Sequence, residues 1–528
     1  MFRYFFIFFL LIFVFTGCRK VAKTDMRSLV PNDAIFFIES DDLSKTLGSI
    51  TKNKALKELS AQTKDFSFLN NIQMAIAVNS FEASENKINE ENSVLDFKPR
   101  FVAVAETHLW NWQAISLIEN HLHKFISAKF GAETEFKKFT KDAGRWFEWT
   151  AKDDRKAFVF VIGGRIYFAN DKDSILKCLS VSGGKTESLK INESLGKAYA
   201  EKPENNVAFG YISPNGIAEI ANFISIPVAF GATENEVGRN FIISVVPKIL
   251  ENTTREVFWT ATESDGKITD NFSINVKKDY DYFLTTTFSA STKIDSNLLR
   301  FVPADILTVT RYNLLNHSEA WRNLMAMIAK NAGSQNGKFF LRLSNNLLNS
   351  YAVTDADGFL AAVDSNILTL RFDAENKKSA LLAVVRDSDK IKKSITDQIN
   401  FRIPPKVFNN AEIWESKAEN ISAAFTENYL ILGDSASVYQ CLLAKTGGRN
   451  FTQNLFYEQF SKSQATSVTF GTEANRAKSL SAVLGGDFIA NQEAVNYYLT
   501  ETSLSEKSIE RKTVSDFGLI GMILENLK

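Results

Sequence analysis

One series of landmarks occurs twice along this sequence, in the same order. "VPNDAIFFIESDDL" from Val30 returns as "VPADILTVTRYNLL" from Val302, each a Val-Pro-x-Asp turn running into β-rich chain. "WTAKDDRKAFVF" from Trp149 returns as "WESKAENISAAF" from Trp414, and "ILKCLSVSGG" around Cys178 as "VYQCLLAKTGG" around Cys441. "NNVAFGYIS" around Phe209 matches "TSVTFGTEA" around Phe470, and "VFWTATESDGKITDNFSINV" matches "YYLTETSLSEKSIERKTVSD". Ordered matches at a nearly constant separation imply two diverged copies of one domain, residues 29–290 and 299–528. The first copy carries about twenty extra residues between Gly216 and Glu256, expected as an insertion before its last hairpin, with a helix over "NFIISVVPKIL".

Periodicity assigns the elements. "AIFFIES" and "RFVAVAE" read as strands, and Val30-Pro31 and Val302-Pro303 are expected to open corresponding ones. "WQAISLIENHLHKFISAKF" reads as an amphipathic helix with Ile115, Ile118, Leu122 and Phe125 on its buried face. "KAFVFVIGGRIYFAND" is strand, Gly-Gly turn and strand, a hairpin whose counterpart turns through Glu427 and Asn428. "ASENKINEENSVLDFKP" from Ala83 reads as a polar loop between strands. Helices and hairpins alternate without a βαβ rhythm. The expected fold is α+β, each copy with a largely antiparallel sheet and amphipathic helices.

Basic and acidic residues are equal at 61 each, so nothing in bulk charge draws the chain toward nucleic acid. Phenylalanine is abundant at 44, enough for aromatic-rich sheet cores or for lining an apolar groove. Cys178 and Cys441 lie on equivalent predicted helices and are expected as free buried thiols, since two distant cysteines make no disulfide framework.

The N-terminus bears on location. One base, Arg3, precedes an uncharged apolar run from Tyr4 to Phe15, shorter than the roughly 20 residues of a membrane span but right for a secretory signal. Thr16, Gly17 and Cys18 come directly after it. The stretch resembles a bacterial lipoprotein signal, with Phe15 where that pattern usually has Leu. The resemblance implies a signal peptide over residues 1–17, diacylglycerol on the Cys18 thiol, an acylated new N-terminus, and a tether over residues 18–28. It makes the lipid bilayer a partner and puts the chain in the cell envelope, since acyl chains contribute roughly 0.8 kcal/mol per buried methylene. Arg19, rather than Asp, after the cysteine favours the outer membrane, facing the periplasm, in an organism with two membranes. Arg19, Lys20 and Lys23 also lie where anionic headgroups would be.

The mature layout resembles a family of uncharacterised bacterial envelope proteins of unknown function, whose domains open with Leu-Val-Pro-x-Asp and a strand. The matching residues are "LVPNDAIFFIE" from Leu29, echoed by "FVPADILTVT" from Phe301. That family offers no activity or functional residue to carry over.

The motifs that suggest chemistry have simpler explanations. "GGKT" from Gly183 has Leu179 where a P-loop needs glycine, and both copies keep Gly-Gly after a cysteine-bearing helix, a C-cap pattern. His121 and His123 sit two apart on a predicted helix and diverge, so with His108 and His317 they make no metal site. Asp153 with Asp154, and Asp355 with Asp357, lack a calcium ligand series. "DFG" at Asp516 stands without the rest of a kinase signature. Trp110 and Trp112 form a possible contact surface for a membrane or partner, the ordinary arrangement being one ring in the core and one half-exposed.

No catalytic set, metal site or cofactor is expected. The sequence points to a membrane-anchored envelope protein that binds or contacts an unknown envelope protein or apolar ligand. The alternatives are a hydrolase without a sequence signature and a carrier of an apolar molecule. A polar cleft with shifted carboxylates favours the hydrolase, and a large apolar pocket favours the carrier.

Overall fold

The computed structural model describes residues 23–59, 66–87, 93–232, 236–291, 295–333, 337–338, 340–341, 348, 351–375, 377–416, 420–474, 476–484 and 495–526. The fold is mixed α+β with antiparallel sheet. The chain divides into two compact units, Met1–Thr46 with Phe66–Lys197, and Leu47–Asp65 with Ala198–Lys528. This division departs from the 290/299 junction because the last strands of the first set of landmarks pair inside the second unit.

In the first unit, β1 (Phe36–Ser40), β2 (Gln73–Lys87), β3 (Ser93–Glu106), β4 (Glu135–Lys141), β5 (Gly144–Thr150), β6 (Lys156–Ile162) and β7 (Arg165–Ala169) pair in the order β1–β2–β3–β7–β6–β5–β4. The β6–β7 turn is Gly163-Gly164 at φ +57° and +84°, the left-handed pair that matches strand twist. Gly164 has a second constraint: a Cβ there would stand 2.3 Å from the carbonyl oxygen of Leu109. Alternation along β5 and β6 puts Phe147, Trp149, Val159 and Val161 on one face, against Ala114, Ile118 and Ile126 of the helical segment that precedes β4. Burial of each such Phe or Val contributes about 1.5–3 kcal/mol.

That segment is where periodicity alone misleads. It runs as a helix over Asn111–Leu117, a π turn over Ile118–Leu122, and a helix over His123–Phe130. The π turn adds a residue to the cycle and rotates the faces of the second helix relative to the first. Ile126 is therefore buried, and Phe125, expected on the buried face, is 57% exposed. The polar stretch from Ala83, expected as a loop, is strand on either side of residues 88–92, which lie outside the described residues. β2 and β3 continue through it as far as the Lys87–Ser93 pair, because strand pairing satisfies backbone groups whatever side chains they carry.

In the second unit, the strands are β8 (Asn206–Ile212), β9 (Thr254–Ser264), β10 (Lys267–Val276), β11 (Thr308–Asn313), β12 (Val363–Arg371), β13 (Ser379–Val385), β14 (Lys406–Phe408), β15 (Ala411–Glu415), β16 (Ile421–Thr426), β17 (Tyr429–Asp434), β18 (Ser467–Ala474), β19 (Val495–Leu504) and β20 (Ser508–Ser515). They pair antiparallel in the order β8–β9–β10–β20–β19–β18–β11–β12–β13–β17–β16–β15–β14. Centrally, β10 and β20 run from the Ile268–Ser515 pair to the Asn275–Ser508 pair, so the last strands of the two landmark series zip together. Helices cover Pro214–Ala232 and Glu236–Thr253 ahead of β9, the second spanning "NFIISVVPKIL".

The landmarks sit in like surroundings. A 3₁₀ turn over Met26–Leu29, capped by Asp25, leads to Val30, whose carbonyl accepts the Leu189 N–H (2.9 Å) while Pro31 bridges Ser188. A 3₁₀ turn over Ser296–Phe301, capped by Asp295, leads to Val302, whose carbonyl accepts the Phe451 N–H (2.8 Å) while Pro303 bridges Asn450. Neither Val-Pro opens a strand, contrary to expectation; β1 and β11 each begin five residues after the proline. Proline has no N–H to give a ladder; the bridge is bonded through the preceding valine carbonyl, while the proline carbonyls accept from Ala34 and Ile306 in the turns that follow. Trp149 lies across from Ala157 on β5–β6, and Trp414 across from Ala423 on β15–β16. Gly184 (φ +71°) and Gly448 (φ +72°) come after the helices Lys172–Ser182 and Ser435–Gly447, which carry Cys178 and Cys441.

Both thiols are free and fully buried. Burial pushes the Cys178 thiol up to about 12 and raises Cys441 as well. A folded value above the unfolded one, roughly 8.5, favours folding below that pH, and the contribution is lost as pH climbs toward 12. At pH 8 the native body from Arg19 onward is expected to show no thiol toward Ellman's reagent, and two on unfolding. A thiol titrating in the native protein would contradict the burial.

Candidate functional site

The second unit holds a half-open cavity of about 690 Å³. Its floor is sheet: Ile274 and Val276 of β10, Thr502 and Leu504 of β19, Ile509 of β20, Tyr312 of β11, Ile367 and Thr369 of β12. Alternate residues appear because pleating sends every second side chain to one face. The roof is helical. The helix His317–Ala332, opened by Asn316 accepting the Glu319 N–H (3.1 Å), contributes His317, Ala320, Trp321, Leu324 and Met327 at helical spacing. Leu250 of the helix Glu236–Thr253, Phe283 and Leu284 of the helix Asp281–Thr287, and Phe288 at the C-cap of the latter close it.

Among the described residues, no Asp, Glu, Lys or Arg lines this cavity. His317, the one basic side chain among the described lining residues, is buried, and desolvation lowers its pKa below the usual imidazole range. Its Nε2 lies 2.9 Å from the carbonyl oxygen of Ser365, which can only accept, so Nε2 carries the proton and the ring is neutral. Burial raises the Tyr351 phenol, keeping it protonated. The wall is thus uncharged, with hydroxyls of Thr and Tyr scattered among aliphatic and aromatic carbon. Such a space solvates an apolar molecule and has nothing to neutralise a buried charge.

The same sheet face carries a second cavity of about 700 Å³, reached along β10, β19, β20 and β12 through Asp270, Tyr498, Thr513 and Arg371. It is polar, with Glu473, Arg476 and Arg511 also on its wall. Burial raises Asp270 and Glu473, the latter opposed by Arg476. Both carboxylates are already engaged. Asp270 accepts from the Trp259 indole and the Leu519 amide (both 2.9 Å), and Glu473 is ion-paired with Arg476. Asp270 also accounts for the "DFG" triplet: Gly518 turns beside it at φ +57°, where a Cβ would lie 2.5 Å from Ile268.

Among the sequence candidates, Cys18 lies outside the described residues. Trp110 and Trp112 are both exposed, at 74% and 67%, rather than split between core and surface. The helix start needs neither indole: the Gln113 side chain accepts the Trp110 N–H (3.0 Å), and Ala114 is the residue that packs inward. The histidines disperse to separate duties. His108 approaches Gln73 (3.3 Å), His121 stacks on Phe68, His123 accepts from the Trp149 indole (3.0 Å), and His317 is in the cavity. Asp153 pairs with Arg155, Asp355 caps the helix Ala356–Ala361, and Asp357 accepts from Ser318. Gly183 and Gly184 end a helix, with Lys185 N–H returning to the Ser180 carbonyl (2.9 Å).

Motif inspection missed the cavity wall entirely, since its residues are scattered from Leu250 to Ile509. The abundant phenylalanine was the one signal, and it does not say which rings face a void. Among the described residues, no group of three His, Cys, Asp or Glu is placed to hold a metal, and no helix is long and apolar enough to cross a membrane. Comparison with family models, curated proteins and solved structures yields no match for this chain.

Proposed function

We propose that this chain is a lipid-anchored envelope protein, built from two diverged copies of one α+β domain, that binds an apolar ligand in its second unit. The observation that carries the binding activity is the cavity of about 690 Å³ between sheet and helices, uncharged among its described lining residues. Its volume lies within the roughly 300–1,000 Å³ of small-molecule sites. Duplication is supported by the paired landmarks: the Asp-capped 3₁₀ turns, the Val-Pro bridges, the tryptophan hairpins and the left-handed glycines after the cysteine helices. The anchor is supported by the Phe15-Thr16-Gly17-Cys18 stretch, with the bilayer as partner and the outer membrane as location where a second membrane exists. The hydrolase reading has the raised Asp270 and Glu473 in its favour, but both Asp270 oxygens accept hydrogen bonds, Glu473 is ion-paired with Arg476, and among the described residues no nucleophile is paired with a base there.

Titrating the body from Arg19 onward with N-phenyl-1-naphthylamine tests the binding. Saturable, blue-shifted emission that a long-chain fatty acid competes away is expected. Unsaturable emission, together with an organic extract of the purified protein free of stoichiometric apolar material, defeats the reading.

A further inference from the structure

We propose that the end of the first unit bearing Trp110, Trp112 and Phe68 is a docking surface for the phospholipid bilayer in which Cys18 is anchored. The inference rests on the lipidation reading of Cys18 and adds to it a fixed face and orientation.

The tether and the aromatic rings meet at one end of the first unit's sheet. Thr24 is clamped there by a buried side chain: its N–H donates to Gln73 Oε1 (2.8 Å) and its carbonyl accepts from Gln73 Nε2 (2.9 Å). Gln73 opens β2 opposite Glu106, the last residue of β3. The His108 ring reaches the same Gln73 oxygen (3.3 Å), and Trp110 is two residues further on. From the other side, Phe68 lies on the turn just before Gln73, 56% exposed and stacked on His121 at 5.9 Å between centroids. Thr24 is six positions after Cys18, a reach of about 20 Å at full extension. A bilayer holding acylated Cys18 is therefore never far from these rings, a constraint that no soluble partner shares.

The chemistry of the face suits a headgroup region. Indole combines a large apolar body with one N–H donor, and Trp concentrates at membrane–water interfaces. Three carboxylates at this end have cations: Asp41 with Lys23 (3.2 Å), Glu106 with Arg165 (2.7 Å) and Glu119 with Lys138 (3.1 Å), while Asp42 accepts the Lys45 N–H. Approach to lipid phosphates thus meets little unpaired negative charge, and Arg19 and Lys20 of the tether attract them. Packing does not require these indoles, so their exposure has a cost without a structural return.

The test is tryptophan quenching on the full lipidated chain, reconstituted in vesicles of phosphatidylcholine and phosphatidylglycerol with or without acyl-chain bromine. Two of the seven tryptophans are on this face, while Trp146, Trp149, Trp259 and Trp414 are buried. Bromine is expected to remove up to about two sevenths of the emission, and W110F/W112F, which leaves the capping intact, is expected to abolish that loss. Equal emission in both vesicles overturns the proposal, as when the rings await a protein partner. A loss that persists in W110F/W112F overturns it as well. The mass of the N-terminal peptide separates the two readings. An unlipidated Cys18 removes the anchor and this face with it, whereas a lipidated, vesicle-bound chain with unquenched indoles removes only the face.

Discussion

Replacing Ala320 by tryptophan is expected to weaken apolar-probe binding at least ten-fold while leaving the protein folded. Ala320 is 2% exposed and stands on the cavity wall, one turn before Leu324 and three residues after His317. An indole at that position extends into the space a ligand would take. In a close-packed core the same change would cost about 1–3 kcal/mol of overpacking. Here the void accepts the ring, so stability is expected to shift little while affinity falls. Ten-fold is about 1.4 kcal/mol, well below what excluding a ligand from its site removes. The check is the same naphthylamine titration alongside a thermal melt. Unchanged affinity in a variant that melts like the parent places the ligand elsewhere.

Changing Cys18 to alanine is expected to have an all-or-none effect. Without the thiol no diacylglycerol is attached, and a chain held only through lipid leaves the detergent phase. One acyl chain binds membranes only marginally, so stable anchoring takes several, all of which depend on this residue. Phase partition and the mass of the N-terminal peptide read the result. A variant that still partitions into detergent with its processing unchanged ends the lipoprotein reading. If the aromatic face contributes independently, Cys18→Ala protein retains only weak, salt-sensitive vesicle binding, because Arg19 and Lys20 act through screened charge.

Local chemistry made much of the architecture legible. Gly163-Gly164 announced the β6–β7 turn because φ is positive at both places, and Gly184 and Gly448 announced the helix ends for the same reason. Cys178 and Cys441 were readable as buried thiols from the apolar helices around them. Where a long-range or cumulative effect intervened, local pattern failed. The π turn at Ile118–Leu122 rotated Phe125 outward, and nothing within that segment's periodicity encodes the added residue. Val-Pro marked the right places but the wrong element. Whether the valine carbonyl after a 3₁₀ turn meets the N–H of Leu189 or of Phe451 is decided by chain far away in sequence.

By itself, then, the sequence determined many of the element types and turns and the paired landmarks, because each depends on residues within a few positions of one another. Only the tertiary structure decided that one face of the β10–β20–β19 region borders a void rather than a packed core. Ile274, Thr502 and Ile509 look like any inward-facing strand residues. What distinguishes them is the distance at which the helices settle above, a property of every contact that holds those helices and of no single stretch of chain. The same holds for the two indoles, which the helix start leaves free and the fold leaves uncovered.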